Sequence, residues 1–254
     1  MKVLQKATKT QDFCRAVRAA GEQLGFVPTM GALHRGHLSL VERAKQENLR
    51  VAVSIFVNPT QFDDREDLQN YPQNYDSDQE ALRNAGVDLL FLPAYDEIYA
   101  DTYRYRISEN KMSREMEGAH RPGHFDGVLT VVMKLLNIIH PHRAYFGEKD
   151  WQQYLLVRDM ARTFFLDTEI IPCPLVREDD GLAMSSRNAR LTAEYRRTAP
   201  KLYEILSRKG SAEEKRQELL RAGFEVDYVV KRNGRILAAA VLGNVRLLDN
   251  VPAN

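Results

Sequence analysis

Apolar and polar residues alternate up to about residue 172 with two periods, one typical of buried strands and the other of helices. Short apolar runs predict strands at Phe26–Pro28, Val51–Val57, Asp88–Leu92, Arg143–Phe146 and Leu166–Pro172. Segments with apolar residues at helical spacing predict helices over 8–24, from about 37, and over 76–84, 128–139 and 151–165. Because strands that alternate with helices form parallel sheets covered on both faces, the pattern predicts an α/β fold with a doubly wound parallel sheet.

The pattern changes in the C-terminal part of the chain. Pro172-Cys173-Pro174 indicates a stiff hinge. Beyond it the periodicity predicts helices from Thr192, broken near Pro200, and over 212–221, and strands near 225–230, 235–242 and 245–248. Asn233-Gly234, between the first two strands, is a strong hairpin signal. We therefore expect a large domain, 1–174, and a smaller α+β domain, 175–254.

Composition narrows the class of protein but selects no partner. The 254 residues include 36 Lys and Arg and 35 Asp and Glu, a formal net charge of +1, so no global field favours nucleic acid or a membrane. Cys14 and Cys173 are far apart and in no metal spacing, which argues against a zinc site or a disulfide framework. The N-terminus lacks the apolar segment of a signal peptide, and no apolar run is long enough to span a bilayer. We expect a cytoplasmic protein.

The stretch from Phe26 to Val41 carries the strongest chemical signal. It combines a buried strand that stops at Pro28, a loop containing Gly31 and Gly36, and a helix that opens near His37. The first turn of a helix has backbone N–H groups without intrahelical partners and a partial positive charge, so it binds phosphate. Glycine lets the backbone approach such a ligand without a Cβ clash.

Two histidines accompany this helix start. His34 and His37 are three residues apart and can lie on the same side of the first turn, where both rings could donate to one polyphosphate. The structural alternative is an ordinary inward helical face. Its members would be Leu33, His37, Leu40 and Ala44.

Polar residues also follow the strand Val51–Val57, which is predicted to be central in the sheet because it is rich in β-branched residues. Asn58 and Gln61 would lie just beyond its carboxyl end, where open α/β sheets bind ligands. For Asn58 alone, a proline turn with the side chain bonded to its own backbone is the favoured interpretation. Turn chemistry does not explain Gln61. The segment 63–75 that follows is predicted to be a solvated acidic loop.

Lys149 and Asp150 lie between a strand end and a helix start. Asp150 is explained as a helix N-cap. Lys149 gains nothing from the positive end of a helix, so a bound anion explains it better.

The loop 176–188 holds Ser185, Ser186 and Arg187, and Gly181 should let it flex. Hydroxyls and a guanidinium suit the oxygens of a triphosphate. Taken alone, a polar surface loop is the favoured interpretation of this segment.

Five segments together carry a resemblance to a known family. MGALHRGH at 30–37 resembles the His-Ile-Gly-His region of nucleotidyltransferases and, after Val27-Pro28-Thr29, that of the pantothenate synthetases, or pantoate–β-alanine ligases. The other four segments match that family in order and at its intervals: SIFVNPTQF at 54–62, RPGHFDGV at 121–128, FGEKDWQQ at 146–153 and DGLAMSSRN at 180–188.

The resemblance implies a Rossmann-like fold and an ATP-dependent ligase of pantothenate and coenzyme A biosynthesis. Pantoate would attack the α-phosphate of ATP to give pantoyl adenylate and pyrophosphate, and β-alanine would then displace AMP. ATP is a substrate in this scheme, and Mg²⁺ is expected on its phosphates rather than in a protein cage. A homodimer is also implied.

The resemblance also implies roles for particular residues. The catalytic groups would be His37, His34 and Lys149, and Gln61 and Gln153 would bind pantoate. ATP would contact Met30, Gly31, Ala32, Leu33, His34, Arg35, Gly36, His37, Gly147, Glu148, Lys149, Asp150, Val176, Met184, Ser185, Ser186 and Arg187. Of these, Gly147 and Asp150 should face the ribose, and Val176 and Met184 the adenine.

The chain departs from the family at Arg35, where an acidic residue is common, and at Trp151, where a smaller aromatic is usual. Arg35 is expected to face away from the ligand, and Trp151 to change only packing. The small domain is also shorter than usual in the family.

Two rival functions stay open. Another nucleotidyltransferase, for pantetheine phosphate or a nicotinamide nucleotide, would need a second phosphate pocket near Gln61 and Gln153, where no basic residue is expected. An RNA-binding module without catalysis would need a basic stripe with exposed aromatics, whereas charge here is evenly mixed.

Overall fold

The computed structural model describes residues 1–253, which divide into two compact units. The first unit contains Met1–Glu148 and Gln152–Cys173. The second contains Lys149–Trp151 and the chain from Pro174 onward.

A six-stranded parallel sheet forms the centre of the first unit. Its strands are β1 (Lys2–Leu4), β2 (Leu24–Thr29), β3 (Arg50–Ile55), β4 (Leu89–Phe91), β5 (Arg143–Gly147) and β6 (Glu169–Cys173). Within residues 1–253 they pair in the order β1-β4-β3-β2-β5-β6, and every ladder is parallel. The predicted α/β doubly wound sheet is confirmed.

Helices separate these strands along the chain. They are α1 (Ala7–Ala19), α2 (Arg35–Glu47), α3 (Arg65–Gln69), α4 (Tyr75–Asn84), α5 (Tyr95–Ile98), α6 (Glu117–His120), α7 (His124–Ile139) and α8 (Trp151–Thr163). The predicted central strand, β3, lies between β2 and β4 with Val51 and Val53 fully buried. A strand covered on both faces has to be apolar along its whole length.

The direction of the strand order reverses between β2 and β5. From β2 the chain passes through α2 to β3 on one side, whereas from β5 it passes through α8 to β6 on the other. Strands β2 and β5 pair at Gly25 with Arg143 and at Phe26 with Ala144, and no further ladder pair within residues 1–253 joins them towards their carboxyl ends. Open α/β sheets bind ligands at such a reversal. The residues after β2 and after β5 therefore lie where a ligand is expected.

The first helix is shorter than predicted. The sequence pattern extended it over 8–24, but α1 ends at Ala19, and Leu24 is a fully buried residue of β2 paired with Arg50. Between them Gly21 has a φ of +74°, a conformation that suits glycine. An apolar residue such as Leu24 fits either period, and its burial in the sheet decides the outcome.

Two further predictions in this unit need correction. Helix α2 begins at Arg35 rather than near His37. The acidic segment 63–75 is not only a loop, because it contains α3. Asp64 caps that helix by accepting a hydrogen bond from the Glu66 backbone N–H at 2.8 Å.

The second unit contains a three-stranded antiparallel sheet and short helices. Its helices are α9 (Ala193–Thr198), α10 (Lys201–Ser207) and α11 (Ala212–Arg221), and its strands, in the order β7-β8-β9, are β7 (Glu225–Arg232), β8 (Arg235–Leu242) and β9 (Val245–Pro252). The helix break near Pro200 and the Asn233-Gly234 hairpin are confirmed. Asn233 and Gly234 have φ values of 49° and 73°, as a type I′ turn requires.

The predicted domain boundary differs from the division into units. Pro174 falls in the second unit, as does the segment Lys149–Trp151, which no feature of the sequence marks. The functions assigned to the two domains stay predictions. Among the described residues, none of the helices has the length and apolar character that crossing a membrane needs.

Candidate active site

The loop after β2 is held in a left-handed turn. Thr29 Oγ1 donates to the Ser54 carbonyl at 2.8 Å and accepts from the Gly31 backbone N–H at 3.2 Å. Gly31 and Ala32 then have φ values of 85° and 50°. A Cβ on Gly31 would come within 3.0 Å of Asp78 Oδ2 and of an Ile55 methyl, so glycine is required there for space as well as for φ.

Asp78, a residue of α4, fixes this loop through its carboxylate. Its side chain is buried, and its two carboxylate oxygens accept the backbone N–H groups of Ala32 and Leu33, each at 2.8 Å. Hydrogen bonds to a carboxylate are stronger than those between neutral groups. The site residues predicted from the sequence do not include Asp78. The signal was its position one helical turn before the buried Leu82 in α4, which places an acid on an apolar face.

The two histidines cap α2 and thereby fix their own tautomers. His34 Nδ1 accepts from the Gly36 backbone N–H at 3.1 Å, and His37 Nδ1 accepts from the His34 backbone N–H at 3.3 Å. Their ring centroids are 4.1 Å apart. Because Nδ1 of each ring is an acceptor, each neutral ring carries its proton on Nε2. The pair therefore presents two N–H donors at a helix N-terminus.

The position of His37 decides between the two interpretations of its spacing. Leu40 and Ala44 are buried, whereas His37 is only partly buried and bonds at the helix start. His37 is thus not an ordinary core residue of α2. Arg35 is exposed.

Asn58 orients Gln61 beyond the end of β3. The Asn58 amide is buried and donates to Gln61 Oε1 at 3.0 Å and to the Gly127 carbonyl at 3.2 Å. Its Oδ1 accepts from the Tyr99 hydroxyl at 2.8 Å. A proline turn does follow Asn58, over Pro59–Gln61. The predicted bond of the Asn58 side chain to its own backbone is wrong, because its partners lie elsewhere. Burial raises the pKa of Tyr99 to about 12, so this hydroxyl stays a donor at neutral pH.

Since Gln61 Oε1 is occupied by Asn58, its Nε2 is the group that remains to donate. It does so to Met30 Sδ at 3.2 Å, which brings the loops after β2 and β3 together. The Gln61 carbonyl lies 2.8 Å from His124 Nδ1 and accepts from the Arg121 guanidinium at 3.3 Å.

A basic residue therefore lies beside Gln61, contrary to the sequence prediction. The Arg121 guanidinium also forms an ion pair with Asp63 at 2.8 Å. Helix α7 approaches this turn closely, since a Cβ on Gly127 would lie 2.3 Å from the Thr60 carbonyl oxygen. Glycine at 127 is thus a packing requirement of the Gln61 turn.

The adjacent glutamines of α8 have different surroundings. Gln152 is buried, with Oε1 accepting from the Glu117 N–H at 3.1 Å and Nε2 donating to the Met112 carbonyl at 2.6 Å. Gln153 is only partly buried, and within residues 1–253 its side chain makes no recorded hydrogen bond. Gln152 is therefore structural, and Gln153 is the glutamine that can serve a ligand.

Lys149 and Asp150 belong to the second unit. Lys149 Nζ lies 3.3 Å from Asp150 Oδ1, and the Lys149 carbonyl accepts from Asn250 Nδ2 at 3.1 Å. The neighbouring Trp151 ring is covered by the Arg235 guanidinium at 4.5 Å from its centroid. This contact gives Trp151 a packing partner within its own unit.

The segment 176–184 is a hydrogen-bonded turn, and flexibility at Gly181 stays a prediction. The Met184 N–H donates to the Val176 carbonyl at 3.0 Å, and a β-bridge joins Arg177 to Ala183. Gly181 has a φ of 93°, and a Cβ there would lie 2.6 Å from the Tyr203 ring.

Ser185 and Ser186 follow this turn, Ser185 as the N-cap of a short 3-10 turn and Ser186 as its first residue. Ser185 caps this 3-10 turn over Ser186–Arg190, accepting from the Arg187 N–H at 3.3 Å.

The predicted site residues divide between the two units. The structure places Met30, His34, His37 and Gln61 together in the first unit, and it places Lys149 and the segment 184–187 in the second.

The fold and the histidine pair define a Rossmann-like α/β protein in which strand β2 leads into a nucleotidyltransferase-type helix start. A family profile described as Pantoate-beta-alanine ligase matches residues 2–252. The chain belongs to this family of enzymes, and the resemblance seen in the sequence is confirmed.

Relatives agree with that assignment. A pantothenate synthetase of Bdellovibrio bacteriovorus is 54% identical over 228 residues, which are 90% of this chain and 91% of the relative. A crystal structure of the Francisella tularensis pantoate-beta-alanine ligase, complexed with beta-gamma ATP and beta-alanine, is 42% identical with a TM-score of 0.94 and covers 99% of this chain and 97% of its own. A pantothenate synthetase structure from Thermus thermophilus is 42% identical with a TM-score of 0.90 and covers 99% of both chains. These two solved relatives are thus about as long as this chain.

Proposed function

We propose that this chain condenses pantoate with β-alanine in two steps through a pantoyl adenylate. A carboxylate oxygen of pantoate attacks the α-phosphorus of ATP, the bond from that phosphorus to the bridging oxygen breaks, and pyrophosphate leaves. The β-alanine amine then attacks the acyl carbon, AMP leaves with the bonding electrons, and the amine loses a proton. No covalent group on the enzyme is needed, so catalysis rests on positioning and on donors aimed at the phosphates.

The observation that carries this proposal is the histidine pair at the start of α2. In both rings Nδ1 accepts a hydrogen bond from a backbone N–H, so in each neutral ring the donor is the N–H at Nε2. Such preorganised donors cost no reorientation as negative charge moves from the α-phosphate to pyrophosphate. We assign His37 to the reacting phosphoryl group or the leaving pyrophosphate, and His34 to the adjacent phosphate oxygens.

The other phosphate contacts are assigned to the second unit. Lys149, Ser185, Ser186 and Arg187 bind the β- and γ-phosphates in this proposal, and Val176 and Met184 bind the adenine.

Gly147 and Asp150 would face the ribose. For Gly147 the support is local: no atom of the described residues lies within 4 Å of where a Cβ would be, so the protein's own packing does not demand glycine there. Close approach of a ligand to the backbone would explain it.

Gln61 and Gln153 are proposed to bind the pantoate hydroxyl and carboxylate. A neutral amide holds the nucleophile without cancelling its charge. Gln61 Nε2 is bonded to the sulfur of Met30, which is a weak acceptor. That donor can therefore turn to a substrate oxygen at little cost.

We propose that Mg²⁺ arrives with ATP and is held by phosphate oxygens. A site made by the protein alone finds no support, since no group of three or more His, Cys, Asp or Glu side chains among residues 1–253 is arranged to hold a metal ion. A homodimer and a cytoplasmic location remain part of the proposal on family grounds.

Partial reactions test the proposal. Incubation with ATP and pantoate alone should release pyrophosphate in an amount close to that of the enzyme, and continued AMP release should require β-alanine. Lys149→Ala should abolish most of this burst while leaving the melting temperature unchanged. Pyrophosphate release with pantetheine phosphate or nicotinamide mononucleotide, and none with pantoate, would overturn the proposal in favour of another nucleotidyltransferase.

A further inference from the structure

Strand β9 carries two buried polar residues in succession. Asp249 and Asn250 are each 3% exposed, between the buried apolar residues Leu247 and Val251. Two polar residues in a buried strand need partners, because unpaired polar groups are costly to bury. Their partners lie in two distant parts of the chain.

Asp249 holds the turn 176–184, which leads into the segment 184–187 with its two serines. Its carboxylate accepts two hydrogen bonds from the Arg177 guanidinium, at 2.7 and 2.8 Å. Arg177 also donates to the Gly181 carbonyl at 3.0 Å, and its guanidinium stacks on the Tyr203 ring at 3.7 Å. The turn 176–184 is thus fixed to β9 by a bidentate pair, the geometry that guanidinium favours.

Asn250 holds the segment 149–151, which contains Lys149. Its Nδ2 donates to the Lys149 carbonyl at 3.1 Å, and its Oδ1 accepts from Arg235 Nε at 2.6 Å. Arg235 in turn covers the Trp151 ring. The segment 149–151 is thus attached to the same strand, one residue further along.

We propose that Asp249 and Asn250 are positioning residues that set Lys149 and the segment 184–187 in register for one triphosphate. This inference rests on the proposed function, which gives both segments to the phosphates. The side chains of Asp249 and Asn250 leave opposite faces of β9, but their Cα atoms are about 3.8 Å apart. Arg177 Nη2, which belongs to the turn held by Asp249, also donates to the Asn250 carbonyl at 3.3 Å, so the two anchors share one short piece of backbone. A buried ion pair is weak evidence for stability, since apolar residues can replace it at no loss, and this leaves a geometric role as the better explanation.

Calorimetric titration with a non-hydrolysable ATP analogue tests the role of Asn250. Asn250→Ala should weaken binding about tenfold, because small displacements of binding groups are costly. Asp227→Ala is the matched control. It removes a 2.7 Å bond to Arg246 in the same small sheet, and it should leave binding unchanged.

A double-mutant cycle distinguishes positioning from a general structural role. If Asn250 acts through Lys149, Asn250→Ala should weaken binding less than about twofold in a Lys149→Ala background, because coupled residues are not additive. Equal tenfold losses in both backgrounds would overturn the proposal, as would unchanged affinity in Asn250→Ala. A melting temperature far below that of Asp227→Ala would also overturn it, since the amide would then serve stability.

Asp249→Asn provides an independent variant. It keeps the shape of the side chain but removes one of the two acceptors of Arg177, and it should also weaken analogue binding. Pantothenate formation by the unaltered chain is measured in parallel. If the chain forms pantothenate but neither variant changes affinity, only the inference about β9 fails. If the unaltered chain forms none, the proposed function fails.

Discussion

Replacing Asp78 by asparagine should damage the phosphate loop from a distance. The change keeps the size of the side chain but leaves one oxygen where two accept the N–H groups of Ala32 and Leu33, each at 2.8 Å. One backbone N–H would then face an amide NH₂ in a buried site.

The cost follows from these bonds. A hydrogen bond to a charged group contributes about 1.5–3 kcal/mol, and because the donor left behind is buried and unsatisfied, the loss lies in the upper part of that range or somewhat above it, at roughly 2–4 kcal/mol. In a domain of about 150–250 residues that lowers the melting temperature by about 5–15 °C. Ala32, at φ 50°, would also be released from its left-handed conformation. A shift of about 1 Å in the loop should lower kcat/KM for ATP about 10–100-fold.

Thermal unfolding and steady-state kinetics test this expectation, with Asp76→Asn as the control. Asp76 is an exposed acid in the first turn of the same helix, so its loss removes only a helix-dipole contribution of about 0.3–1 kcal/mol. If Asp78→Asn has the same melting temperature as Asp76→Asn and retains the kcat/KM for ATP of the unaltered chain, the carboxylate does not hold the loop.

Three further changes have definite expected outcomes. His37→Ala should lower kcat about 10²–10³-fold, as loss of a preorganised donor does, and lower the melting temperature by only about 2–4 °C, because a lost helix cap costs about 1 kcal/mol; near-normal turnover would refute its role. Gly127→Ala places a Cβ 2.3 Å from the Thr60 carbonyl, so it should cost about 1–3 kcal/mol in urea unfolding and raise KM for pantoate; an unchanged KM would separate this turn from pantoate. The Lys134 ammonium lowers the pKa of Asp101 to about 2, so the stability advantage over Asp101→Asn should be complete above about pH 4 and disappear as the pH falls towards 2; an advantage that persists below pH 2 would contradict this.

Local signals in the sequence were sufficient for most element types and placed the start of α2 within two residues, but they missed α3. Gly31, the histidine spacing and the Asn233-Gly234 turn depend on backbone preferences and on neighbours within a few residues, and these are fully encoded in the local sequence. The resemblance of ordered motifs added the family, which no local pattern contains.

Partners far apart in the chain were decided only by the tertiary structure. The local pattern did not distinguish Gln152, which holds a loop, from Gln153, because two adjacent glutamines have the same local context. Only the family resemblance selected Gln153. The sequence marks Asp78 as an acid on an apolar helical face, but it does not show that this carboxylate holds the loop after β2, or that Asn250 holds Lys149. A polar side chain serves the fold when its hydrogen-bonding atoms are used by backbone groups from distant parts of the chain, and it can serve a ligand when they are not. That is set by strand order and helix placement, which arise from burial summed over the whole chain rather than from any one segment.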